Sequence, residues 1–177
     1  MNKPDSLRDL LLEAVPGLKN NPERLLMFID QGKVRCTAAA SLSFEYSYTL
    51  QIILTDFAGH PDSVMLPILG WLRVNQSELL VNLDKSAEGL KFEADMLDRS
   101  KVDLSLTLPL TERVIVTRKA DGSLDASHAP EPQYEEYQEQ GPVTVYADGE
   151  PLVSWQPPAA PDGMALVMPH PKRPARG

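Results

Sequence analysis

The sequence predicts an α+β fold: a two-layer sandwich of a mostly antiparallel sheet, containing one long strand, with helices packed on one face, plus a C-terminal β-hairpin. Three observations predict it. Apolar residues fall on every second position through residues 44–54, 90–96 and 102–110, the period of strands with one buried face. Apolar residues three and four apart mark residues 7–18, 25–29 and 64–72, the period of helices with one buried side. Asp148-Gly149 stands between two short apolar runs, as a tight hairpin turn requires. One apolar face per strand gives the helices a single side to cover.

The first helix is "KPDSLRDLLLEAVPGL", with Leu7, Leu10, Leu11, Ala14, Val15 and Leu18 on its buried side. Pro4 suits a first turn, where no amide donor is needed, and Pro16-Gly17 ends the helix. In "NNPERLLMFIDQG" a second short helix is predicted, capped by Asn21, begun by Pro22 and stopped by Gly32, burying Leu25, Leu26, Phe28 and Ile29. "KVRCTAAAS" is weakly strand-like and leads into "SFEYSYTLQIILTDFAG". There Phe44, Tyr46, Tyr48, Leu50, Ile52 and Leu54 share one face, with Tyr46 and Tyr48 expected against the helices. Strands of about 5 or 6 residues are common, so this one is long. His60-Pro61-Asp62 breaks it, and Val64, Met65, Ile68, Leu69 and Leu72 mark a helix that either kinks or begins at Pro67. Residues 90–96 and 102–110 read as a hairpin turning at 98–101, and 112–118 extend the second strand past a bulge or bend at Pro109.

These elements make one α+β domain over residues 1–118. An acidic, proline-containing linker follows at 119–142, then the hairpin at 143–156, then a Pro-rich tail at 157–177, expected to be mobile in isolation. A two-residue turn pairs Ala147 with Glu150, Tyr146 with Pro151 and Val145 with Leu152. One hairpin face then carries Val143, Val145 and Leu152, and the other carries Tyr146, Val153 and Trp155. A lone two-stranded hairpin apolar on both faces must dock somewhere. The expected destination is another protein surface, with Trp155 as anchor and the 143–147 edge as the pairing side; the chain's own domain is the other destination in reach. Val143, Val145, Tyr146, Leu152 and Trp155 are therefore the candidate interface residues.

Candidate chemistry is sparse. The 42% hydrophobic share of 177 residues supports a real core, and the 6% aromatic share an aliphatic one. No apolar run approaches the ~18 residues of a membrane span. The N-terminus, with Asp5 and Asp9 near its start, does not read as a signal peptide, and the single Cys36 permits no internal disulfide; both fit synthesis in the cytoplasm. A net charge of −8 argues against a protein that grips nucleic acid, which requires Lys and Arg on the phosphates. His60 lies at a corner, His128 in the linker and His170 in the tail, so no nucleophile, base and orienting acid converge. Glycine motifs for phosphates or dinucleotides are lacking. Cys36 reads as a small packed residue, and one Cys with three scattered His make no zinc site. Glu135, Glu136 and Glu139 read as a solvated acidic run, Asp121 to Asp125 lack calcium-loop spacing, and Lys172, Arg173 and Arg176 read as solvated charges. The expectation is no enzyme: no catalytic residue, no cofactor-binding residue, no metal and no cofactor.

The order of segments carries more. "KPDSLRDLL", "NPERLLMFID", "AASLSFEYSYTLQIILTDFAG", "LPILGWLRVNQ" and "LTERVIV" resemble the tail completion protein R family of temperate, contractile-tailed phages, whose gene clusters are related to those of contractile bacteriocins. "VTVYADGEPLVSW" resembles that family's C-terminal segment, and the tail from Gln156 departs from its shorter ending. The resemblance implies a non-catalytic virion protein that closes the head-proximal end of the tail so a head can join. It implies a ring, expected to be a hexamer, on the tail tube, near sheath and neck or connector proteins, assembled in the host cytoplasm. Six copies at −8 each would amount to −48, so a channel through such a ring would let DNA slide without binding it. No membrane partner is implied. The rival readings are a head-side connector or stopper, a small hydrolase of unfamiliar type, and a monomeric chaperone or adaptor.

Overall fold

A computed structural model describes residues 1–36, 41–87, 89–96, 101–132 and 141–157. Helix α1, Asn2–Ala14, buries Leu7, Leu10, Leu11 and Ala14 and ends where Val15 turns extended and Gly17 takes φ +85°, a conformation open to glycine. A single 3₁₀ turn, Pro22–Arg24, leads into strand β1, Leu25–Cys36. The helix predicted over this segment is therefore a strand. Residues 25–29 are apolar throughout, so their spacing fits either element, and ten antiparallel pairs with the next strand decide for β. Of the four residues expected to be buried only Leu25 is, while Leu26, Phe28 and Ile29 are exposed. Gly32 stops nothing: it follows Gln31, which at φ +53° forms a bulge between Asp30 and Lys33.

Strand β2, Phe44–Phe57, is the long strand read from the sequence. Its register sets Tyr48, Leu50, Ile52 and Leu54 opposite Leu110, Leu108, Leu106 and Leu104 of β4, Val102–Arg118. All eight are buried. At about 1.5–3 kcal/mol for each large apolar side chain removed from water, this double row is a large part of what stabilises the fold. A second irregularity, at Asp56 with φ +52°, turns Phe57 inward, and the Asp103 carboxylate accepts from the Asp56 amide at 2.9 Å.

Helix α2, Asp62–Asn75, begins before Pro67, which lies buried inside it, so of the two alternatives for Pro67 the helix does not begin there. Short helices α3, Glu78–Val81, and α4, Leu83–Ser86, follow. Strand β3, Lys91–Met96, pairs with residues 102–107 of β4. Strand β5, Leu124–His128, pairs with 114–118 of β4, so the segment read as linker adds a strand to the sheet. Pro109 sits in the interval that neither β3 nor β5 reaches, and the β2 ladder passes it without a shift, so of the bulge or bend expected there the bulge is absent. The sheet order is β1-β2-β4-β3, with β5 also on β4, and α1 and α2 cover one face.

The hairpin consists of β6, Val143–Ala147, and β7, Glu150–Trp155, turning through Asp148 at φ +51° and Gly149 at φ +87°. Gly149→Val is expected to cost about 1–2 kcal/mol, since a β-branched residue resists the left-handed region; urea denaturation with an unchanged midpoint would contradict it. The turn at 98–101 lies largely outside the described residues, as does the proposed tail beyond Pro157.

Tyr46 is partly buried, edge-on to Phe44 at 4.9 Å, and directly opposite Glu112 in the register. Tyr46→Asp would bring a second carboxylate beside a buried one, and a loss of about 2–4 kcal/mol is expected. Chemical denaturation of the variant measures it.

Candidate interaction surfaces and a buried carboxylate

Parity along β4 points even-numbered residues inward, and the series Leu104, Leu106, Leu108, Leu110 continues with a charge: Glu112, 4% exposed. Its Oε1 accepts from the Tyr48 hydroxyl at 2.5 Å and the Lys3 amide at 3.4 Å, and its Oε2 accepts from the Asn2 amide at 2.9 Å. Those two amides begin α1, whose N-cap Met1 offers no side-chain acceptor. The first amides of any helix lack internal partners and carry partial positive charge. Glu112 thus caps α1 from a strand 110 residues away in sequence. His128 Nδ1 lies 2.9 Å from Oε2, close enough for an ion pair when protonated but not aligned for a hydrogen bond.

Burial alone would raise the Glu112 pKa. The hydrogen bonds from Tyr48, Asn2 and Lys3 outweigh it and hold the carboxyl below its ordinary value. The Tyr48 phenol is pushed up by burial and by the same carboxylate, so it stays protonated as the donor. Beside them the Lys3 ammonium donates to Gln76 Oε1 at 2.6 Å and Glu131 Oε1 at 2.8 Å. Burial lowers the Lys3 pKa against the pull of Glu131. Buried Gln76 also joins Thr111, bonding its backbone amide at 3.2 Å and its hydroxyl at 3.1 Å. One polar cluster therefore ties α1, the C-terminus of α2, β2, β4 and the segment after β5.

A cleft of about 290 Å³ opens on this cluster, lined by Asn2, Lys3, Ser6, Glu112, His128 and Glu131 among others. Most of its polar groups are engaged in structure: Ser6 Oγ accepts from Trp71 Nε1 at 3.1 Å and Glu112 serves the helix amides, while the buried His128 Nδ1 makes no hydrogen bond. Among the described residues no group of three or more His, Cys, Asp and Glu is placed to hold a metal ion. His60 is exposed and accepts from the Asp62 amide at 3.2 Å, a local turn bond. Cys36, read as packed, is instead exposed at the end of β1, with Sγ 3.4 Å from the Ser43 carbonyl oxygen. His170, Glu135, Glu136 and Glu139, and Lys172, Arg173 and Arg176, lie outside the described residues.

The candidate interface residues divide. The register begins as read, Ala147 with Glu150 and Tyr146 with Pro151, then slips by one so that Val145 meets Val153 and Val143 meets Trp155. Those four residues consequently share one face, and it is turned to α1 and α2 of the same chain. Trp155, 9% exposed, lies against Gly70, where an added Cβ would stand 3.5 Å from its ring. Within the chain the hairpin docks on its own domain, the other destination in reach, and it does so by a face, where the 143–147 edge was expected. Leu152, half-buried, and Tyr146, 64% exposed, are left outside that contact face.

Similarity to known proteins bears on the same segments. The family model described as P2 phage tail completion protein R matches residues 1–132. The tail completion protein R of Escherichia phage P2 is 43% identical over 155 residues, which cover 88% of this chain and 99% of the relative. No solved structure matches. The matched span contains every strand of the main sheet and the Glu112 cluster, and the chain belongs to the P2 phage tail completion protein R family.

Proposed function

We propose that the chain is a structural tail subunit without catalytic activity, acting at the head-proximal end of a contractile tail and completing it for head joining. The observation that carries this reading is the 43% identity with a tail completion protein R along almost the whole of that relative. The geometry supports it: the polar cluster spends its carboxylate and amides on holding elements together. The subunit is read as part of a ring around the tail axis, contacting the tube and neck, with a net charge of −8 that disfavours capture of passing DNA. It would assemble in the host cytoplasm and remain in the virion.

The test is complementation of a phage lacking its own tail completion protein. Lysates without the protein should hold full heads and separate tails, and adding the purified chain should restore joined particles. The variant His60→Ala should restore them equally well. A folded His60→Ala variant that fails would reveal chemistry at that residue, and a wild-type chain that restores nothing would contradict the assignment.

A further inference from the structure

The two lateral edges of the main sheet are built to opposite specifications. Among the described strands β1 has only β2 beside it, and β3 has only β4. Register places Val34 and Cys36 of β1 on the helix-bearing face, and Lys33 and Arg35 on the outer face. On β3 it places Phe92, Ala94 and Met96 on the helix-bearing face, and Glu93 and Asp95 on the outer face. Phe92 is 63% exposed and Met96 87%, although both point to the side the helices cover. An exposed strand edge with apolar residues on one face is a template for another strand.

We infer that β3 of one copy of this chain pairs antiparallel with β1 of the next, so that the copies join head to tail in one continued sheet. The inference rests on the ring reading above and names its interface. Charge complementarity selects a second copy as the occupant: the register that sets Lys33 opposite Asp95 sets Arg35 opposite Glu93. The same register brings Val34 beside Ala94 and Cys36 beside Phe92. Asp30 and Lys91, whose charges would oppose the match, fall outside those pairs, and Arg35, which holds Glu45 of its own chain at 2.9 Å, would be shared between Glu45 and Glu93. Directions agree as well. β1, β2, β4 and β3 alternate in direction, so β1 and β3 run oppositely and can pair with every helix layer on the same side. Two different edges make a heterologous interface, which closes into a ring when the rotation permits.

Cys36 is the single cysteine, which gives a direct probe. Within one chain β1 and β3 are separated by β2 and β4, about 14 Å at the usual strand spacing, too far for a disulfide. Phe92→Cys should therefore give a ladder of disulfide-linked multimers under mild oxidation, on isolated tails if not in free solution, while wild type, with one thiol, stops at dimers and an Asp148→Cys control, whose second thiol lies off both edges, gives far less ladder. Lys33→Glu with Arg35→Glu, and separately Glu93→Lys with Asp95→Lys, should each reduce assembly at least tenfold with the fold retained by circular dichroism. An equimolar mixture of the two should recover it, because each then offers the charge the other lacks. Multimeric wild type with no ladder and no effect of either reversal overturns the edge pairing and leaves the ring reading standing. A single copy per tail overturns both. Loss of assembly on truncation after Pro157, with the reversals harmless, also overturns the pairing.

Discussion

Replacing Glu112 by Ala is expected to destabilise the protein by about 3–5 kcal/mol, as removal of one partner from a buried charged cluster does. The change would leave the Tyr48 hydroxyl without its acceptor, and would strip the Asn2 and Lys3 amides at the start of α1 of their cap. Glu112→Gln keeps the shape and one acceptor oxygen, so about half that loss is expected. pH separates the charge from the shape. The folded-state pKa of Glu112 lies below its ordinary value. Its stabilisation is thus full above the unfolded value of about 4.3 and is lost as pH falls through the folded value. Urea midpoints measured from pH 6 down to pH 3 should fall more steeply for wild type than for Glu112→Gln. Parallel curves would show that the carboxylate is not the cap.

Trp155→Ala is expected to cost about 3 kcal/mol, the lower end for a large aromatic deleted from a core, because its site borders solvent. The ring fills the space over Gly70, and Val153 beside it is buried as well. The hairpin therefore belongs to the cooperative unit: the variant should melt in one transition at lower temperature. A wild-type midpoint for the main domain, with only local loss of hairpin signal, would mean the hairpin is an independent appendage. Truncation after Gln140 should lower stability further, since it uncovers the faces of α1 and α2 that Val153 and Trp155 protect.

How much of this was legible depends on how many physical signals agreed at each segment. In β2 and β4 the alternation, the β-favouring residues and the length all pointed the same way, and the paired rows followed. Residues 25–29 are a continuous apolar run that fits helix and strand alike, and only the partner strand, distant in sequence, breaks the tie. β5, with the sequence LDASH, shows almost no apolar alternation and is a strand only because β4 offers it an open edge. The Glu112 site leaves a trace in the sequence: inward parity along β4 turns residue 112 to the core, and α1 begins without a capping side chain. His128 became its neighbour through β5 pairing, which reading it as linker concealed. In the hairpin the Asp148-Gly149 turn was legible, but the one-residue slip that gathers Val143, Val145, Val153 and Trp155 on one face depends on packing against the helices.

The most direct measurement is the position and copy number of the protein on tails purified before head joining, by electron microscopy of labelled particles and by quantitative mass spectrometry against the tube protein. The account predicts several copies, all at one end of each tail, the end that later carries the head. Label spread along the sheath, label at the opposite end, or finished tails that lack the protein would contradict it.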